Sequence, residues 1–220
     1  MTAVPNPYGQ REWRGRLLDN AQVAALMKVE HVLGYQLTIT QGIGGAEASA
    51  GTHTKGRAVD LAWWDQTRKE HAMKDVGYAY WPRPELPGVW PYHGHGVLIY
   101  DKRSNDHGVS DVAFRQIASF DRGNNGLKGD GRDEYTYRPS PPAVFTIEEY
   151  RFIIAGGLEA PPVTKVTKLR DHIVEAIHEL SWAIALGSKT EGRDVIDDAV
   201  QDLKDYRRKL NDRLDHMPKR

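Results

Sequence analysis

The chain has 220 residues, 40% of them hydrophobic and 27% charged, with 30 Lys and Arg balanced by 30 Asp and Glu. That length holds one domain of ordinary size plus an appendage, and the composition is that of a globular protein rather than a disordered one. A balanced charge gives no broad cationic field, which excludes nucleic acid and anionic membrane surfaces as expected partners. With no cysteine, disulfides, thiolate metal sites and a cysteine nucleophile are all excluded, and any metal has to use imidazole and carboxylate ligands.

The opening stretch to Trp13 carries Pro5, Pro7 and Arg11 without an apolar run, and reads as neither a signal peptide nor a membrane span. Val23, Leu26, Met27 and Leu33 then recur at helical spacing, which predicts a helix from about Asn20, capped by Asp19 or Asn20 and stopped by Gly34, although Glu30 interrupts its apolar stripe. Tyr35 to Thr40 alternates Leu37 and Ile39 with threonines, as a half-buried strand does, and a Gly- and Ala-rich loop follows from Gly42 to Gly51. Gln66 to Val76 reads as a helix stopped by Gly77, and Tyr78 to Trp81 as a strand. Pro82 to Pro91 reads as a loop, His93 to Tyr100 as a strand and Asp111 to Phe120 as a helix. Asp121 to Pro142 shows no period and is expected to be a loop.

Small residues and prolines from Gly156 to Pro162 mark a change of character. Beyond it, one apolar stripe runs through Val166, Leu169, Ile173, Ile177, Leu180 and Ile184, and a second through Ile196, Ala199, Leu203, Tyr206, Leu210 and Leu214. The division expected is residues 1–158 as the main domain and 159–220 as a helical hairpin or coiled coil. Such a pair needs a partner surface, which makes a homo-oligomer an expectation.

His53, Gly56, Ala58 and Asp60 form H-x-x-G-x-A-x-D, and His93 with His95 forms H-x-H at the head of the predicted strand. A catalytic zinc without thiolates takes three nitrogen and oxygen ligands and keeps one position open, and His53, Asp60 and His95 supply such a set. Residues two apart on a strand share a face, so His93 and His95 look into the same cleft while Gly94 faces away. One imidazole can bind metal and its neighbour can move protons, since imidazole accepts and donates near neutral pH.

These blocks resemble the zinc D-Ala-D-Ala carboxypeptidases and L-alanyl-D-glutamate peptidases of bacteria and their phages, the group joined with lysostaphin and hedgehog proteins. The resemblance runs roughly from Tyr35 to Pro139 and includes Gln41-Gly42, Ser49 to His53, Trp90 before the histidines, and Asn125-Gly126-Leu127. It implies Zn2+ on His53, Asp60 and His95, with His93 beside the water as base or transition-state stabiliser. Tyr92 stands where members with an acidic base place Asp or Glu, and Gly51 takes the signature serine position, leaving Ser49 as a hydrogen-bonding support. Gln41 stands where many members carry a substrate-carboxylate arginine, a role for which Arg57 or Arg83 could substitute. Trp90 and Tyr92 are the aromatic residues expected at the rim of a glycopeptide groove.

The fold expected is α+β, a small antiparallel sheet with flanking helices forming a zinc peptidase domain, followed by the C-terminal helices. The function expected is a peptidoglycan peptidase of phage origin, made in the host cytoplasm and acting on stem peptides of the bacterial wall as an endolysin or virion component. The alternative is a structural virion, tail or wall-binding protein that keeps the fold and assembles, with itself or with other virion proteins, through its C-terminal helices.

Overall fold

The computed structural model describes residues 4–44, 51–101 and 109–158. Among them the chain is α+β, with a two-stranded and a four-stranded antiparallel sheet and four α-helices. Gln10–Trp13 (β1) pairs with Arg16–Asp19 (β2) in a hairpin. Its turn residues, Arg14 and Gly15, both have positive φ, 52° and 71°, the twist a two-residue antiparallel connection needs. Asp19 then caps Asn20–Leu33 (α1), its carboxylate accepting the Gln22 backbone N–H at 2.7 Å, and Gly34 ends the helix in the left-handed conformation. Both ends of this helix match the sequence expectation.

The remaining elements are Ile39–Gln41 (β3), Ala58–Ala62 (β4), Gln66–Val76 (α2), Tyr78–Arg83 (β5), His93–Leu98 (β6), Asp111–Asp121 (α3) and Ile147–Phe152 (α4). The larger sheet has the order β3-β4-β6-β5, so β4 and β6 are its central strands. Its edges are irregular: β3 is three residues long with a register shift between Ile39 and Gln41, and β5 contains Pro82.

The period of two sorts each strand between two cores. Val59, Leu61, Tyr78, Tyr80 and Leu98 face α1 and α2, where Val23, Leu26, Val29, Met73 and Val76 join them in one cluster. Ala58, Ala79, Trp81 and Val97 face the opposite way and pack on Ala113, Ile117 and Phe120 of α3. Glycines in β6 answer the bulk on the first face. A Cβ on Gly94 would collide with the Tyr80 hydroxyl, and one on Gly96 would press on Met73, Tyr80 and Tyr78.

Several boundaries differ from the sequence reading. The strand expected over Tyr35 to Thr40 is shorter and later, and β5 continues through Pro82 and Arg83, since an edge strand tolerates a missing N–H. The β1–β2 hairpin and α4 were not expected. The segment Pro84–Tyr92 belongs to a separate compact unit; within it Leu86 bridges Trp90, and the Trp90 indole N–H donates to the Pro84 carbonyl at 3.1 Å. The C-terminal stripes lie outside the described residues. No described helix is long and apolar enough to cross a membrane.

Candidate metal centre

Directly opposed residues of an antiparallel ladder share a face, so the pairing lays out the site in rows. Gln41, Asp60, His95 and Trp81 form one row across β3, β4, β6 and β5. The next row, Ala62, His93 and Arg83, lies two residues further along each of β4, β6 and β5. The row on the other side, Ala58, Val97 and Ala79, is covered by α3. Thus α3 closes one part of this face and the Asp60 and His95 side chains begin where its apolar seam ends.

His53 joins them from a tight turn, Thr52–Thr54, entered through Gly51 at φ 83°. The His53 carbonyl accepts the Gly44 backbone N–H at 2.8 Å, and the Thr52 carbonyl accepts the Ser110 hydroxyl at 3.0 Å. The motif glycine two positions before Ala58 has a steric reason: a Cβ on Gly56 would collide with the Asp19 carboxylate. The turn thereby sits against the start of α1 and the cap of α3.

One ligand atom from each of His53, Asp60 and His95 lies within 4.8 Å of the others, and all three residues are buried. Asp60 Oδ1 is 2.7 Å from His95 Nδ1, and Asp60 Oδ2 is 3.4 Å from His53 Nε2. The two rings stand edge to face, 5.5 Å between centroids. Each ring's outer nitrogen meets an oxygen. His53 Nδ1 is 3.0 Å from the Gly42 carbonyl, and His95 Nε2 is 3.0 Å from Gln116 Oε1. Two imidazoles and one carboxylate, converging from separate parts of the chain and braced from outside, form a group that can hold a metal ion.

The electrostatics suit that use. Burial alone would raise Asp60, but the charges of His53 and His93 and the hydrogen bonds from His53 and His95 hold its carboxyl well below the usual range, so it is ionised. Burial pushes His95 below its ordinary value against the pull of Asp60, which favours the neutral imidazole a metal requires. Burial works on His53 in the same sense, yet the charge and hydrogen bond of Asp60 and the Gly42 carbonyl carry it above its ordinary value.

The other expected site residues fall in different places. His93 is half-buried in the row beside His95. Gln41 is in register with Asp60, its amide donating to the Gly44 carbonyl at 3.2 Å. Arg57 does not face this row: it is 2% exposed, lies over the rings of Tyr8 and Tyr100, and carries the charge next to Asp19. Its guanidinium is thus packed against these two rings. Arg83, the other cation considered, pairs with His93 in register, donates to the Asn125 carbonyl at 2.6 Å and lies over Trp81. Trp90 and Tyr92 belong to the separate unit, and Ser49 lies outside the described residues.

Sequence reasoning did not single out Gln116 or the Gly42 carbonyl. Gln116 left a signal, because it interrupts the stripe Ala113, Ile117 and Phe120 at the one position between them that shares their helix face. The Trp81 ring lies nearly parallel to His95, 6.1 Å between centroids. No protein-family model, curated protein or solved structure matches this chain.

Proposed function

We propose that this protein is a zinc-dependent peptidase acting on the stem peptides of bacterial peptidoglycan, of the D,D-carboxypeptidase or L-alanyl-D-glutamate endopeptidase type. The observation that carries the reading is the buried convergence of His53, Asp60 and His95, with a third imidazole, His93, in the adjoining row of the same sheet face. Two nitrogens and one carboxylate oxygen are a donor set for zinc that leaves a coordination position open, as a hydrolytic site needs. Bound zinc supplies Lewis-acid activation of water and of the scissile carbonyl.

In this reading the chain's own groups do the rest. Asp60 and the inner nitrogens of His53 and His95 hold the ion, and the Gly42 carbonyl and Gln116 fix the two rings. His93 accepts a proton as the nucleophile attacks and returns it to the leaving amine. Arg83 and Gln41, at opposite ends of the two rows, flank the cleft with a cation and an amide that can orient an anionic or amide-bearing peptide. The resemblance of its motifs to the wall peptidases of phages supports an endolysin or virion-associated role.

The test is digestion of purified peptidoglycan by the zinc-loaded protein, with and without chelator, read by mass spectrometry of the released peptides. Zinc-dependent cleavage of a stem-peptide bond is expected. Intact stem peptides with a protein that demonstrably binds zinc would refute the peptidase reading.

A further inference from the structure

Helix α3 touches both histidine-bearing segments. At its start, the Ser110 hydroxyl caps the helix by accepting the Ala113 N–H and at the same time donates to the Thr52 carbonyl, one residue before His53. Two turns on, Gln116 projects from the same face as Ala113, Ile117 and Phe120 and meets His95 Nε2 with its side-chain oxygen. The opposite nitrogen of that ring, Nδ1, faces Asp60.

In the metal-free site Nδ1 donates to the Asp60 carboxylate; when an ion takes the place of that proton, a neutral His95 carries its proton on Nε2, where the Gln116 amide oxygen can only accept it, and the Nδ1 lone pair points to the metal position. The alternative tautomer would set a lone pair against the Gln116 oxygen and a proton where the ion must sit. Trp81 lies along one side of the ring and limits its tilt.

We infer that Gln116 is a positioning residue of the metal centre, whose side-chain oxygen fixes the tautomer and orientation of His95 so that Nδ1 serves as a ligand. The inference rests on the metal reading above and adds to it a residue outside both histidine motifs. Groups that orient a ligating imidazole in this way are worth about 10–100-fold in metal affinity.

Two substitutions separate positioning from packing. Gln116→Leu keeps most of the volume and removes the acceptor, whereas Gln116→Glu keeps an acceptor in the same place. Zinc affinity is measured by competition with a chromophoric chelator for the wild type and both variants, with thermal unfolding of the metal-free forms as a check on folding. The expected result is a loss of roughly 10-fold or more for Gln116→Leu, with Gln116→Glu at least as tight as the wild type. Wild-type affinity in Gln116→Leu, or equal losses in both variants, would overturn the inference while leaving the metal site standing. A wild type that binds no zinc would overturn both. If Gln116→Leu does not fold, the nitrogen spectrum of His95 in the zinc-loaded wild type decides: protonated Nε2 is required, and a protonated Nδ1 is incompatible with the assignment.

Discussion

Three side chains carry the centre, and each has a different dependence on the rest of the chain. His53 and Asp60 are seven positions apart, joined by a turn and a strand, so their approach is nearly local. His95 arrives only through the pairing of β4 with β6. Replacing His53 or Asp60 by Ala removes a proposed ligand rather than its support. Zinc affinity is expected to drop by more than the ~100-fold that an outer partner is worth, as metal content after dialysis would show. Away from the centre, Asp19 gives a pH-dependent prediction. Burial, opposed by the Gln22 N–H and the Arg57 charge, pushes its carboxyl up to about 6 from 3.8. Because the folded form holds its proton more tightly than the unfolded chain, the contribution is fully present below about pH 4 and is lost as pH rises through about 6, roughly 3 kcal/mol in all. Asp19→Asn keeps a capping oxygen and removes the titration. The difference between wild-type and variant urea stabilities should therefore change across that window and be flat above it.

Elements were legible where their ends carried chemistry. Asp19 and Gly34 delimit α1, and Gly77 closes α2, because capping oxygens and left-handed glycines have a direct conformational meaning. The β1–β2 hairpin escaped notice because Arg14, not Asn or Asp, takes the first positive-φ position of its turn. α4 is six residues long, too short for a period, although Thr146 and Glu149 form a complete capping box. Glu30 and Gln116 look like interruptions of apolar stripes, yet each is placed there for a polar partner: Glu30 meets Arg14 and the Leu37 N–H at 2.8 Å, and Gln116 meets His95. Packing between elements predicts two further outcomes. Gly94→Ala drives a methyl into the Tyr80 ring and hydroxyl and should cost about 1–3 kcal/mol in chemical denaturation, partly recovered by adding Tyr80→Phe. On α2, buried Lys74 binds Glu70 at 2.6 Å and the Tyr137 carbonyl at 2.9 Å, tying the segment after α3 to the helix. Lys74→Met leaves a buried carboxylate without its cation, and a loss of about 3–5 kcal/mol is expected, with faster proteolysis near Tyr135 to Tyr137.

For the whole molecule, the centre ties together parts that are distant in sequence: the turn at His53, strands β4 and β6, and α3. An ion that binds the folded chain and not the unfolded one stabilises all of them at once. Zinc at about 1,000 times its dissociation constant adds about 4 kcal/mol, or roughly 10 °C in Tm for a chain of this size. Thermal scans with zinc and with chelator should show that gap in the wild type and none in His53→Ala. A wild-type Tm indifferent to zinc would count against the centre. The α+β class and the three side chains that converge could be read from the sequence, but the rows of the sheet could not, since they follow from strand order and register, which a single sequence does not print.

The borders of the larger sheet carry a consequence for how copies of this protein meet. A neighbouring chain that tried to extend the sheet at β5 would find Pro82 without a backbone N–H, and at β3 it would find three residues thrown out of step by the shift between Ile39 and Gln41. Lateral, amyloid-like growth of this sheet therefore has no regular template at either edge. The sheet that carries Asp60 and His95 is thereby protected from edge-to-edge extension by a second copy.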